Sequence, residues 1–205
     1  KDLSIIELDD AGLENLIDSL SEPAYRGKQL RRGLFKGLAF SFSEMTDLPL
    51  SLRRKLEQVT GLHTIKSSLT SIGTDGTVKT LFTLSDGNSI EAALMTYDPQ
   101  GGRRRHTVCV STQAGCNIGC PFCATVQQGF IRNLTQGEIV DQVLSFARYL
   151  KDRNINGGEL KKEAITNVVF MGMGEPLANY ENLWSAIETL NSPEGFGLGA
   201  RSLTI

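Results

Sequence analysis

Apolar residues in the first part of the chain recur with the spacing of amphipathic helices. A stripe with i, i+3, i+4, i+7 spacing follows Asp9-Asp10 and predicts a first helix. Its members are Leu13, Leu16, Ile17 and Leu20. A second helix is predicted after Pro23, and a third from near Pro49 to Gly61. Residues 1–61 are therefore predicted to form a small helical accessory domain.

The hydrophobic pattern changes to alternation between His63 and Tyr97, in runs rich in β-branched residues. The dipeptides Asp75-Gly76 and Asp86-Gly87 interrupt these runs, and such dipeptides favour the positive φ angles of hairpin turns. We therefore predict a three-stranded antiparallel β meander, which forms a second region or linker over residues 62–98.

Strand patterns and helical patterns alternate after residue 99, which is typical of a parallel α/β sheet. Thr135 and Glu138 form a capping box that marks the start of the first helix in this region. Residues 151–162 are polar and contain glycine, so we predict a surface excursion there. The predicted elements are strand Thr107–Ser111, helix Thr135–Leu150, strand Ile165–Met171, helix Asn179–Leu190 and a strand from Ser202. Residues 99–205 are thus the third predicted domain, of α/β class.

Composition is that of an ordinary folded protein, with 40% hydrophobic and 21% charged residues among 205. No apolar run of about 18 residues and no leader is visible, so we expect a cytoplasmic protein without a membrane partner. The formal net charge of −2 gives no global attraction to nucleic acid, so RNA would need local basic patches. The candidate patches are Arg26–Lys36, Arg53–Lys55 and Arg103–Arg105. Lys1 and the strand that has just begun at residues 201–205 lead us to expect a fragment.

Three of the four cysteines, Cys116, Cys120 and Cys123, follow the first predicted parallel strand, where α/β folds place their sites. Such clusters in a reducing compartment are more often metal sites than disulfides. Three thiolates can bind one face of a [4Fe–4S] cluster and leave the fourth iron open to a substrate. At this spacing we expect that substrate to be S-adenosylmethionine, with Phe122 as an aromatic surface for its adenine.

A structural zinc ion is the competing interpretation of these cysteines. Zinc takes four tetrahedral ligands, and Cys109 or His106 could supply the fourth. Zinc ribbons normally use paired C-x-x-C motifs, however, and only one short pair is present. The cysteine spacing therefore favours the iron–sulfur cluster.

A second motif is the apolar strand that ends in Gly-Glu-Pro, at residues 168–176. Gly174 is expected to let a ligand approach the backbone, and Glu175 can accept a hydrogen bond from an ammonium group. Taken alone, the motif is equally consistent with an ordinary strand end. Beside the cysteines, it favours a binding site for the amino group of S-adenosylmethionine.

Longer segments resemble the radical S-adenosylmethionine methyltransferases that methylate carbon two of an adenosine in 23S ribosomal RNA and in some transfer RNAs. These segments are Cys109–Cys116, Cys120–Thr125, Gln127–Leu134, Gly172–Pro176 and Glu44–Leu48. The sister family that methylates carbon eight of the same adenosine shares the cysteine motif but usually departs from residues 127–130. The chain is therefore more similar to the carbon-two enzymes.

The resemblance implies the front half of a radical S-adenosylmethionine (βα)6-type barrel, preceded by the helical domain and the meander. It implies a [4Fe–4S] cluster and S-adenosylmethionine as cofactors, 23S ribosomal RNA and transfer RNA as substrates, and an electron donor such as flavodoxin. Members of this family carry the methyl group on a cysteine near the C-terminus. Because no cysteine follows Cys123, the chain alone is expected to be inactive.

Two further residues acquire roles only from the resemblance. Cys109 matches the resolving cysteine, which releases the methylated RNA by forming a disulfide with the methyl-carrying cysteine. Glu91 aligns with the proton acceptor, which takes the proton from carbon two. By position alone, Cys109 is a buried strand cysteine and Glu91 a solvated strand residue. Two other functions stay open: a different radical S-adenosylmethionine enzyme, or a non-enzymatic zinc or redox module.

Overall fold

Three α-helices form the first part of the computed structural model, which describes residues 3–100, 102–157 and 163–205. They are α1 (Asp10–Ser19), α2 (Tyr25–Phe35) and α3 (Leu50–Val59). The Asp9 carboxylate caps α1 by accepting a hydrogen bond from Gly12 N at 2.7 Å. The apolar stripes of all three helices are buried, through Leu13, Ile17, Leu30, Leu34, Leu52 and Leu56. The predicted helical region is therefore confirmed.

The antiparallel meander is also confirmed. It consists of β1 (Ile65–Ile72), β2 (Val78–Leu84) and β3 (Ser89–Tyr97). Gly76 and Gly87 occupy its two turns with φ of 81° and 85°, the backbone conformation that Asp-Gly dipeptides favour. Side chains alternate along β2 and β3 between a buried face and a more exposed face. On the buried face, Phe82 meets Phe146 edge to face, with ring centroids 6.1 Å apart.

The meander continues into the α/β region as one sheet, because β4 (Arg105–Cys109) pairs antiparallel with β3. The chain then forms a small hairpin from β5 (Gln113–Gly115) and β6 (Phe130–Asn133), followed by α4 (Gln136–Gly157). Next come β7 (Asn167–Val169), α5 (Tyr180–Asn191) and β8 (Leu203–Thr204). The strand order is β1-β2-β3-β4-β7-β8, in which β4, β7 and β8 are parallel. The mixed α/β class is therefore confirmed.

Helix α4 starts where the capping box predicts. Glu138 N donates to Thr135 Oγ1 at 3.2 Å, and Thr135 N donates to Glu138 Oε2 at 3.0 Å. The residues of its apolar face are buried, among them Ile139, Val140, Val143, Leu144 and Phe146. The opposite face of β3 and β4 is more exposed. It carries the candidate residues Glu91 and Cys109.

The predicted end of this helix was wrong. Helix α4 continues to Gly157 instead of ending at Leu150, because residues 151–156 include no glycine or proline that would end it. The surface excursion predicted for residues 151–162 is therefore helical up to residue 157. Residues 158–162 lie outside the described part of the chain.

The predicted parallel strands are present but shorter than expected. β4 ends at Cys109 rather than Ser111, and β7 covers the middle of the predicted range. The hairpin of β5 and β6 was not predicted, because strands of three and four residues show no clear periodicity. The domain boundaries at residues 61 and 98 stay a prediction. Within the described residues, no helix has both the length and the apolar character needed to cross a bilayer.

Candidate functional site

The carboxyl ends of β4 and β7 lie next to each other, because the two strands are parallel neighbours. Backbone hydrogen bonds join the chain that follows β4 to the turn that follows β7. Gly172 N donates to Val110 O at 2.9 Å, and Thr112 N donates to Met173 O at 2.9 Å. The segment that leads into the cysteine loop and the turn at residues 172–176 are therefore one packed unit at this edge of the sheet.

The base of the cysteine loop is closed by the pairing of β5 with β6. Gly115 has φ of 74°, and a Cβ at this position would lie 1.8 Å from Gly129 O, so only glycine fits. Cys116 N donates to Gly129 O at 3.1 Å. The first cysteine of the motif is therefore buried and held in place by the hairpin.

Cys120 and Cys123 lie in the outer part of the same loop. Cys123 N donates to Cys120 O at 3.0 Å, which makes a tight turn between them. Hydrogen bonds from the side chain and backbone of Thr125 lower the pKa of the Cys123 thiol, which favours the thiolate, the form in which cysteine binds metals. Phe122, between these cysteines, is 89% exposed. Its ring surface is therefore accessible to a ligand.

Three free thiols on one loop fit a [4Fe–4S] cluster in chemistry and in number. Among the described residues, no group of three or more His, Cys, Asp and Glu side chains converges as the ligands of a single metal ion would. The cysteines of a cluster each bind a different iron atom, so their sulfur atoms surround the cluster at wider spacing than the ligands of a single ion.

His106 does not fit the role of a fourth zinc ligand. Its position on β4 places it on the opposite face of the strand from Cys109. Its buried ring has Nδ1 3.1 Å from Thr96 Oγ1 and Nε2 3.6 Å from Glu163 Oε1. The ring is therefore directed to the other side of the sheet, and His106 is removed from the candidate ligands.

Gly174 packs against Gln113, and Glu175 is hydrogen-bonded to it. Gly174 has φ of 98°, and a Cβ there would lie 2.5 Å from the Cβ of Gln113. Packing against Gln113 therefore requires a glycine here, whether or not a ligand also approaches its backbone as predicted from the sequence. Glu175 N donates to Gln113 Oε1 at 2.8 Å, and Glu175 Oε1 accepts from Leu177 N at 3.2 Å. The carboxylate therefore caps the helical turn at Pro176–Asn179 through one oxygen.

Cys109 and Glu91 share the more exposed face of the sheet. Cys109 pairs with Ala93, and Glu91 lies two residues from Ala93 along β3, so the two side chains point the same way. Burial raises the pKa of the Cys109 thiol. The Glu91 carboxylate forms an ion pair with Lys79, with Nζ and Oε2 2.7 Å apart. The structure therefore brings both residues to one face, beside the edge that carries the cysteine loop.

Three buried polar residues of the site were not predicted from the sequence: Ser111, Gln142 and Asn179. Asn179 Nδ2 donates to the carbonyl oxygens of Thr112 and Leu134, both at 2.8 Å, and so joins the turn after β7 to the base of the hairpin. The available signal was a polar residue inside an apolar stretch, because such a residue needs a partner when it is buried. The identity of that partner depends on the fold.

Many residues of the basic patches have partners within the chain. Arg31 forms an ion pair with Asp10 at 2.8 Å, and Lys55 forms one with Glu22 at 3.3 Å. Arg105 lies over the ring of Tyr97, 5.2 Å from its centroid. Exposed basic side chains include Lys28, Arg32, Arg54 and Arg103. These four are therefore the better candidates for contacts with phosphates.

Residues 3–62 match the family model described as the ribosomal RNA large subunit methyltransferase N-terminal domain. A probable dual-specificity RNA methyltransferase RlmN from Chloroflexus aurantiacus is 47% identical over 94% of this chain and 49% of its own length. The dual-specificity RNA methyltransferase RlmN from Solidesulfovibrio magneticus is 41% identical over 98% of this chain and 54% of its own length.

The fold has a similar counterpart among solved structures. The crystal structure of a radical SAM methyltransferase from Sphaerobacter thermophilus superposes with a TM-score of 0.86 at 39% sequence identity. The superposition covers 98% of this chain and 55% of that one. The chain spans about half the length of the curated relatives that it matches.

Proposed function

The chain belongs to the family of dual-specificity RNA methyltransferases RlmN, and from this premise we propose that the protein methylates carbon two of an adenosine in 23S ribosomal RNA and in transfer RNA. The observation that carries the proposal is the packed unit at the edge of the sheet. There, the segment before the cysteine loop is hydrogen-bonded to the turn at residues 172–176. This arrangement suits a site in which a cluster and S-adenosylmethionine are bound side by side.

Cys116, Cys120 and Cys123 are proposed to hold a [4Fe–4S] cluster, which together with S-adenosylmethionine supplies a deoxyadenosyl radical when both are bound. The glycines of the hairpin support this role by holding the first cysteine at the base of the loop. Phe122 offers its exposed ring to the adenine of S-adenosylmethionine. Gly174 and Glu175 belong to the turn that is proposed to bind the amino group.

Cys109 and Glu91 are proposed to act on the RNA from the open face of the sheet. Cys109 would release the methylated RNA by forming a disulfide with the cysteine that carried the methyl group. Glu91 would take the proton from carbon two of the adenine. Their common face and their place beside the cysteine loop support both roles. An electron donor such as flavodoxin and a location in the cytoplasm, where ribosomal RNA is found, belong to the same proposal.

Anaerobic reconstitution with iron and sulfide tests the cluster. We expect about four irons and four sulfides per chain, with a broad absorption in the visible range, because three thiolates hold the cluster. The Cys120→Ala variant should lose this absorption. The matched control is Cys109→Ala, which removes a thiol of the adjoining strand and should keep full iron and sulfide content. One zinc ion per chain without sulfide would show that the proposal is wrong.

Nucleoside analysis of methylated RNA tests the position of methylation. The full-length protein, supplied with S-adenosylmethionine and a reductant, should give 2-methyladenosine in 23S ribosomal RNA. A product that carries its methyl group on carbon eight would assign the protein to the sister activity. A protein with a reconstituted cluster that cleaves S-adenosylmethionine but methylates no RNA would point to a different substrate class.

A further inference from the structure

The hydroxyl of Ser111 lies between two parts of the site that are far apart in sequence. Ser111 is fully buried, two residues beyond the end of β4. Its Oγ donates a hydrogen bond to Glu91 O at 2.5 Å and accepts one from Met173 N at 2.9 Å. One hydroxyl therefore joins the strand that carries Glu91 to the turn at residues 172–176.

The backbone of Ser111 is held in turn by helix α4. Gln142 Oε1 accepts from Ser111 N at 2.8 Å, and Gln142 Nε2 donates to Ser111 O at 3.0 Å. Gln142 is itself fully buried, and its Nε2 also donates to Glu138 O at 3.0 Å. The side-chain amide of Gln142 therefore fixes the backbone of Ser111, while the two hydrogen bonds of the hydroxyl fix the direction of its side chain.

The register of the sheet explains why the hydroxyl meets Glu91. The pairing of Cys109 with Ala93, continued by two residues, places Ser111 opposite Glu91. The contact is made to the backbone of Glu91, so its carboxylate stays available for other partners. Ser111 thus sets the separation between the backbone of Glu91 and the backbone of Met173.

We propose that Ser111 is a positioning residue, which holds Glu91 at a set distance from the turn that binds S-adenosylmethionine. This inference rests on the proposed roles of Glu91 and of the turn. The hydroxyl touches neither cofactor nor RNA in this scheme. It keeps Glu91 and the turn at residues 172–176 at a fixed separation. An RNA adenine that lies beside the bound S-adenosylmethionine is then within reach of the Glu91 carboxylate.

Hydrogen exchange on the cofactor-free chain tests the geometric part of the inference. In Ser111→Ala, the amide of Met173 loses its acceptor, so its exchange should become about tenfold faster. The matched control is Thr80→Val, which removes a buried hydroxyl that contacts Thr70 Oγ1 at 3.1 Å in the meander. This control should leave the exchange of Met173 unchanged. Equal exchange of Met173 in the wild type and in Ser111→Ala would overturn the inference.

Kinetics of the full-length protein test the functional part. Ser111→Ala should keep its iron and sulfide content, raise the KM for S-adenosylmethionine about tenfold, and accumulate the covalent protein–RNA adduct. Ser111→Thr, which keeps the hydroxyl, should restore both the KM for S-adenosylmethionine and the release of methylated RNA from the adduct. Simple loss of stability would lower the active fraction without changing KM or the share of adduct, and Thr80→Val is expected to behave in that way.

Failure of the proposed function and failure of the positioning role give different results. A wild type that forms no deoxyadenosine contradicts the proposed function itself. A wild type that works, with Ser111→Ala equal to it in KM and in adduct, contradicts only the positioning role of Ser111.

Discussion

Glu91 is a half-exposed residue whose side chain contributes little to the fold. Its ion pair with Lys79 lies at the surface, with the two side chains 45% and 53% exposed, and such pairs stabilise proteins by about 1 kcal/mol at most. The backbone of Glu91, by contrast, is held by Ser111. A substitution of the side chain therefore tests chemistry with little effect on folding.

The Glu91→Gln variant of the full-length protein should separate two activities. Without the proposed proton acceptor, removal of the proton from carbon two of the adenine should slow about a hundredfold or more, while cleavage of S-adenosylmethionine continues. We expect deoxyadenosine at the normal rate, accumulation of the protein–RNA adduct, and little free methyladenosine. The readouts are chromatography of the nucleosides and a shifted, nuclease-sensitive band on a gel.

The control for this variant is Asp152→Asn, which neutralises an exposed carboxylate on α4. It should match the wild type in both activities. Normal release of methyladenosine by Glu91→Gln would show that another group takes the proton and that Glu91 is a surface residue.

At the scale of elements, Arg132 of β6 joins the cysteine hairpin to two other parts of the fold. Its guanidinium donates to both carboxylate oxygens of Glu138 in α4, each at 2.8 Å. It also donates to Asp86 Oδ2 at 2.5 Å, in the turn between β2 and β3. The hydrogen bond from Arg132 lowers the pKa of Asp86 to about 2. A hydrogen bond therefore links the hairpin to the meander, which also carries Glu91.

The Arg132→Gln variant should raise the pKa of Asp86 from about 2 towards its ordinary value of 3.8. An NMR titration of the side-chain carboxyl groups measures this change. Asp75 is an internal control in the same titration, because hydrogen bonds from Thr77, and not Arg132, lower its pKa. An unchanged pKa of Asp86 in the variant would contradict the contact.

The same contact has a consequence for stability. Because the pKa of Asp86 in the folded state lies below 3.8, its carboxylate stabilises the fold above that pH. This contribution is lost as the pH falls from about 3.8 through about 2. The free energy of unfolding should therefore depend less steeply on pH in this window in Arg132→Gln than in the wild type.

At the scale of the whole molecule, a charged network formed by His63, Asp141 and Arg148 connects the helical region and the start of the meander to α4. Asp141 Oδ2 accepts from Thr64 N at 2.8 Å, and Asp141 Oδ1 lies 3.1 Å from His63 Nδ1. Arg148, one of the least exposed charged residues, donates to Ala39 O at 3.1 Å and lies 3.6 Å from Asp141. Burial lowers the pKa of Arg148, while Asp141 acts in the opposite direction.

The Arg148→Met variant should lower the free energy of unfolding by about 3 kcal/mol, because it leaves a buried carboxylate without its cation. The matched control is Arg153→Met, which removes an exposed arginine of the same helix and should change that free energy by less than about 0.5 kcal/mol. Urea denaturation measures both variants. Equal urea midpoints of unfolding for the two variants would show that the network contributes nothing to stability.

Local patterns predicted most elements because these depend on neighbours along the chain. The Asp-Gly dipeptides mark both turns of the meander, and the Thr135 capping box marks the start of α4. The end of α4 was missed because residues 151–156 include nothing that would break a helix. The hairpin that closes the cysteine loop was missed because its strands are too short to show a period.

The sequence by itself determined the chemical groups of the site and their order: three cysteines in one loop, a Gly-Glu-Pro turn, and a glutamate and a cysteine on strands that follow one another along the chain. Only the tertiary structure decided which groups meet. Ser111 bridges Glu91 and Met173, which lie 20 and 62 residues away, and Gly174 is required because Gln113 packs against it. The physical reason is that a buried polar group finds its partner through strand register and packing, which no local pattern encodes.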